Sequence, residues 1–192
     1  MKKLVIKVVI ISLTAIIAIF SITYLLLSIL YPISLAKFYG NIGSYNVAAG
    51  FAEMQYEKDD NIQHIVLASD YAFKLNNDEL VTKYAEMALN DDEYAEYSVK
   101  NEKRAGILLS HFIKAKYELE GGNVATEQAF KYLVGYKSHN IVETLMVAAY
   151  DKNDKQTLAL IKERLEALDK TNLSEVEQDV LQNDILVINS LL

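Results

Sequence analysis

The chain has 192 residues, room for one domain of ordinary size, and a formal net charge of −7. Of its 19 basic residues, Lys2, Lys3 and Lys7 fall in the first 36, which hold no acid, so the remainder sets 26 acidic side chains against 16 basic ones. That balance argues against nucleic-acid binding and against electrostatic docking to anionic lipid, and the lack of cysteine excludes disulfides, thiol nucleophiles, zinc–thiolate and iron–sulfur sites and a lipoprotein anchor.

From Val8 to Ala36 no residue is charged, and Val8 to Leu30 is almost entirely Ile, Leu, Val, Ala and Phe. At about 1.5 Å per residue this run spans about 34 Å, which matches a bilayer core of about 30 Å. Tyr31 suits the headgroup layer, and Pro32, the one proline, marks the break. We therefore divide the chain into 1–32, a cytoplasmic N-terminus and transmembrane helix in contact with lipid through residues 8–30, and 33–192, a water-soluble domain. Lys2, Lys3 and Lys7 precede the span, so the positive-inside rule keeps the N-terminus in the cytoplasm and exports the domain. A cleaved signal peptide is the competing reading, with Ser34-Leu35-Ala36 as the cleavage site. The apolar run exceeds the 7–15 residues or so of a signal-peptide core, which favours an uncleaved anchor. Thr14, Ala18, Ser21 and Ser28 share one face of the span and form a candidate self-association face, because small residues let two helices approach closely.

Beyond the anchor, apolar residues recur every three or four positions, so the domain is expected to be all-α. Helix pairs are predicted at 33–42 with 44–56, 62–75 with 78–89, 99–120 with 125–136, and 141–150 with 155–168, followed by a last helix over 174–192. A short helix over 91–97 is an addition. The turns fall at Gly43, Lys58–Asn61, Asn76-Asn77, Gly121-Gly122-Asn123 and Asp151–Asp154. Ser174 followed by Glu177 is a capping-box pattern. Leu181, Ile185, Ile188 and Leu192 form a stripe that would cap the open end of a stack.

Second helices of the first two pairs start at Ser44 and Asp78, 34 residues apart. Gly43-Ser44-Tyr45-Asn46-Val47-Ala48, then Leu67-Ala68 with Tyr71, Tyr84 and Ala88-Leu89, resemble a degenerate tetratricopeptide repeat. Tyr117, Ala129 and Tyr132 in the third pair, and Leu158, Ile161 and Leu165 in the fourth, stand in similar roles. The resemblance covers most of 33–168, with drifting periods and no repeat-ending proline. Behind the one transmembrane helix it implies a stack of antiparallel helical hairpins in a tetratricopeptide-like superhelix. Another antiparallel helical array is the alternative. In either, each hairpin is apolar on a face that only its neighbours can bury.

No constellation of catalytic, cofactor-binding or metal-binding residues is assembled by the sequence. His64, His111 and His139 lack metal-ligand spacing. Asp151-x-Asn153-x-Lys155 begins like a calcium loop but has Gln156 at the glycine position and Lys162 where the final Glu belongs. Tyrosine is the enriched type, with thirteen copies. Tyr71, Tyr84 and Tyr132 read as core, whereas Tyr94, Tyr97 and Tyr136 lie where packing demands less and are the candidate contacts with a partner. The functional expectation is a non-enzymatic, membrane-anchored interaction or scaffold module with a protein partner. The alternatives are a structural subunit held by its transmembrane helix and an exported enzyme.

Overall fold

We describe the computed structural model over residues 2–133, 136 and 138–192, and over all side chains there except those of residues 2–5, 8 and 9. Lys2 and Lys3, which supply the positive flank, and residues 134–135 of the helix expected over 125–136 lie outside the described side chains and residues. Among the described residues every regular element is a helix.

Helix α1 covers Lys2–Leu30, and its stretch Ile10–Leu30 is long and apolar enough to cross a membrane, with none of it buried in the protein. No glycine or proline interrupts it. The Thr14 hydroxyl donates to the Ile10 carbonyl (2.9 Å) and the Ser28 hydroxyl to the Leu25 carbonyl (2.8 Å), so both are satisfied within the helix. Tyr31 leaves helical geometry, and Pro32, whose missing N–H costs nothing at a first position, opens α2 (Pro32–Asn41).

Helices α3 (Tyr45–Asp59), α4 (Ile62–Lys74), α5 (Asp78–Leu89), α6 (Tyr94–Lys100), α7 (Glu102–Glu120), α8 (Gly122–Lys131), α9 (Asn140–Asp151), α10 (Lys155–Glu166) and α11 (Glu175–Leu191) follow. Their short connections share one device. Asp60, Asn76 and Asn153 occupy the left-handed region, and the very next residue, Asn61, Asn77 or Asp154, caps the following helix by accepting from a backbone N–H at 3.0 Å. Gly43 and Gly121 make the other tight turns at positive φ. Ser174 and Glu177 form the expected reciprocal capping box on α11.

Two boundaries differ from expectation. The helix foreseen over 99–120 is broken at Asn101, which separates α6 from α7 and whose side-chain amide donates to the Tyr97 carbonyl (3.3 Å). The turn foreseen at Gly121-Gly122-Asn123 uses Gly121 alone, so α8 starts at Gly122 and ends at Lys131. Gly122 belongs inside a helix here because α10 comes so close. A Cβ at Gly122 would stand 1.6 Å from the Thr157 hydroxyl oxygen.

Consecutive helices pack on one another from α2 to α5, then α5 on α7, α7 on α8 and α9, α8 and α9 on α10, and α9 and α10 on α11. One connected apolar core results. Small residues such as Ala48, Ala49 and Ala52 let the first pair approach closely, while Leu108, Phe112, Ile113, Leu145, Leu158 and Ile161 fill the middle. Leu181, Ile185 and Ile188 bury the inner face of α11, whereas Leu192, expected in the same stripe, lies past its end and is 40% exposed. Its outer face carries Glu175, Asp179, Gln182 and Asn183 to solvent.

Candidate functional site

Tyrosine placement corrects one expectation. Tyr97 and Tyr136 are 5% and 1% exposed, so neither offers a surface to a partner. Packing demands both positions: Tyr97 closes α6 onto the core, and Tyr136 anchors the connection before α9 to the last helix. The Tyr136 hydroxyl donates to Asp184 (2.5 Å), and its backbone N–H donates to Glu177 (3.1 Å). Tyr94 is half-buried and borders a groove of about 400 Å3 with Val99 and Tyr132. On α1, Thr14, Ala18 and Ser21 are exposed and Ser28 is half-buried.

The abundance of tyrosine has a structural cause. Tyr56 donates to Asp91 (2.7 Å), Tyr84 to Glu53 (2.9 Å) and Tyr117 to Asp154 (3.1 Å), each joining segments more than thirty residues apart. The bond to Asp91, with burial, pushes the Tyr56 phenol up to about 12, and burial with Asp154 does the same for Tyr117. Burial, then the facing carboxylate, also raises Tyr84 and Tyr136. These phenols therefore stay protonated and act as donors that tie one helix to another.

Two adjoining grooves run along α9. One, of about 390 Å3, lies between α9 and α11 and is lined by Met146, Val147, Tyr150, Val187 and Leu191, with Glu143 and Asp184 at its polar margin. The other, of about 400 Å3, opens toward α7 at Lys114, Asn140, Thr144 and Asp151 and shares Glu143 and Val147 with the first. Helix α9 turns Glu143, Val147, Tyr150 and Asp151 outward. Ile141, Val142, Leu145, Met146 and Ala149 face the core, and this leaves Val147 and Tyr150 outward at 59% and 57% exposure. Val187 meets them from α11 at 49%. Val147, Tyr150 and Val187 thus form a small exposed apolar cluster in a concavity, a feature that binding surfaces share. Sequence reasoning passed over these residues. The signal available was the helical spacing that puts Val147 and Tyr150 on the same face as Glu143 and Asp151, where a wet face ordinarily carries polar residues.

Elsewhere His111 stacks on Phe73, with centroids 3.5 Å apart, and its Nδ1 lies 4.0 Å from Asp70, too far for a hydrogen bond. Burial, aided by Lys114, lowers the imidazole to about 4, so it is neutral at ordinary pH. A polar cleft of about 360 Å3 lies between Asp59–Gln63 and Glu93–Asn101. Among the described residues no three His, Asp or Glu side chains converge as a metal site.

No protein-family model, no curated protein and no solved structure matches this chain.

Proposed function

We propose that the protein is a membrane-anchored helical-repeat module that binds a protein partner at the outer face of the membrane, and that it is not an enzyme. The observation that carries this reading is the apolar groove between α9 and α11, with Val147, Tyr150 and Val187 turned outward. The unburied apolar stretch Ile10–Leu30 supports the anchor, and the excess of Lys2, Lys3 and Lys7 before it over Lys37 just after it fits an exported domain. The contact pattern supports a tetratricopeptide-like superhelix. First helices α4, α7, α9 and α11 touch in succession, second helices α8 and α10 touch each other, and each second helix meets the next first helix. An anchor would confine the groove to the membrane surface and raise its effective concentration for a partner there.

A photo-crosslinking residue at Val147 in the full chain, in native membranes, tests the reading. A discrete adduct is expected from position 147, lost when Tyr150 and Val187 are both changed to Lys. Equal yields with and without those changes would refute the groove. Exchanging α1 for an unrelated apolar helix should preserve the adduct. Its loss would favour a subunit held through the Thr14, Ala18, Ser21 and Ser28 face instead.

A further inference from the structure

The outer end of α1 is bound to the first helix pair at two points. The Tyr39 hydroxyl on α2 donates to the Tyr24 hydroxyl on α1 at 3.3 Å. The Lys58 ammonium, near the end of α3, lies 3.4 Å from the Ile29 carbonyl oxygen, one of the carbonyls that the last turn of α1 leaves without a helical partner. A lysine there also faces the negative end of the helix dipole. Tyr24 stands six residues before the end of α1, about 9 Å down its axis. Helix α2 therefore lies beside the last turns of α1 rather than standing clear above them.

One edge of the side that α2 turns away from the core is apolar, flanked by the exposed polar residues Ser34 and Asn41. Pro32 and Ala36 are buried, whereas Tyr31, Phe38 and Ile42, spaced seven and four residues apart, are 57%, 56% and 59% exposed. Lys37 is exposed beside them. If α1 crosses a bilayer, its outer end sets the level of the surface, and the headgroup layer on that side is about 5–8 Å thick. Tyr24 lies about 9 Å below that end, at the inner edge of the layer, so side chains on a helix tied to it fall near the boundary between headgroups and acyl chains.

We infer that α2 lies in the interface of the bilayer that α1 crosses, with Tyr31, Phe38 and Ile42 set into the boundary between headgroups and acyl chains. The inference rests on the reading of α1 as a membrane span. The attraction is apolar and aromatic, with Lys37 and Lys58 at the phosphate level. An acidic domain can thus be held against a membrane that its net charge would not seek. Contact through α2 and the two bonds to α1 would fix the tilt of the domain and the height at which the α9–α11 groove is presented.

The chain has no tryptophan, so a single one reports its own surroundings. Phe20→Trp, Phe38→Trp, Ile42→Trp and Val99→Trp are each made in the full chain and reconstituted in phosphatidylcholine bilayers, with and without lipid brominated on the acyl chain near the headgroup. Phe20 is 72% exposed in the middle of α1, and Val99 is 83% exposed near the end of α6. The expected result is blue-shifted emission and about two-fold quenching by brominated lipid for the variants at 20, 38 and 42, with water-like, unquenched emission at 99. Quenching at 20 with water-like emission at both 38 and 42 would overturn the inference and leave the anchor standing. A blue shift at 38 and 42 without quenching would mean that protein, such as a second copy of the chain, covers the face, and would overturn it equally. Absence of quenching at 20 would remove the anchor itself and the placement with it.

Discussion

The phenol of Tyr136 donates to the carboxylate of Asp184 over 2.5 Å, with both side chains buried and 48 positions apart in the chain. The bond ties the connection before α9 to the middle of α11, while Glu177 on the same helix accepts from the backbone N–H of Tyr136. A buried carboxylate needs its donors, since an unpaired one is costly. Tyr136→Phe is therefore expected to cost about 1–3 kcal/mol in urea unfolding, because Asp184 loses its donor. Tyr94→Phe, whose residue borders an open groove, should cost less. In the double variant Tyr136→Phe with Asp184→Asn, part of the loss should return. A purely additive result would show that the two side chains do not act as a pair.

Two glycines should respond in opposite directions to alanine. At Gly122 a Cβ would collide with Thr157, so α8 must move away from α10, at an expected cost of about 1–3 kcal/mol. Gly50 sits inside α3 with open space where its Cβ would be. Gly50→Ala should raise stability by about 0.4–1 kcal/mol, as the unfolded chain loses freedom. Thermal unfolding of both variants beside the parent gives the sign directly.

His111 predicts a pH dependence. Its imidazole is lowered from 6.5 to about 4 in the folded chain by burial first and by Lys114 second. Below about pH 6.5 the unfolded chain therefore takes up a proton that the folded one refuses, and stability falls as pH drops toward 4. Burial raises the carboxyl of Asp70, with Arg104 and Lys74 opposing, so near the acid end the folded chain binds that proton more readily and the loss is partly offset. His111→Phe keeps the stack on Phe73 and removes the titration. Melting temperature between pH 6.5 and 4 should fall less steeply in this variant than in the parent, and identical slopes would show that His111 is not the group responsible.

Removing α11 should have a large effect. Leu181, Ile185 and Ile188 cover α9 and α10, and their loss would expose core-like surface from the fourth pair. A chain ending before Ser174 is expected to aggregate or to melt well below the parent. Ala48→Asp tests the other end. Ala48 is fully buried, and a carboxylate there would cost several kcal/mol, about 3 or more, without a partner. Hydrogen exchange should show loosening of α2 and α3 while α9 to α11 stay protected. Uniform loss of protection would mean that the helices unfold as one unit.

What the sequence determined by itself was local. The apolar run of α1, the turns at Asp60-Asn61, Asn76-Asn77 and Asn153-Asp154, and the Ser174–Glu177 capping box depend on residues within four positions of each other, so they are legible one after another. The helical period likewise marked Leu158, Ile161, Leu165, Leu181, Ile185 and Ile188 as inward. Tertiary structure decided the rest. Tyr136 looked dispensable to packing because its partner, Asp184, lies 48 residues away, and no local pattern announces a bond of that length. Val147 and Tyr150 share a face with Glu143 and Asp151, and only the arrival of α11 on one side of α9 made that face one wall of a groove. Periodicity says that a helix has a face to bury, but which face is buried depends on where the neighbouring helices come to rest.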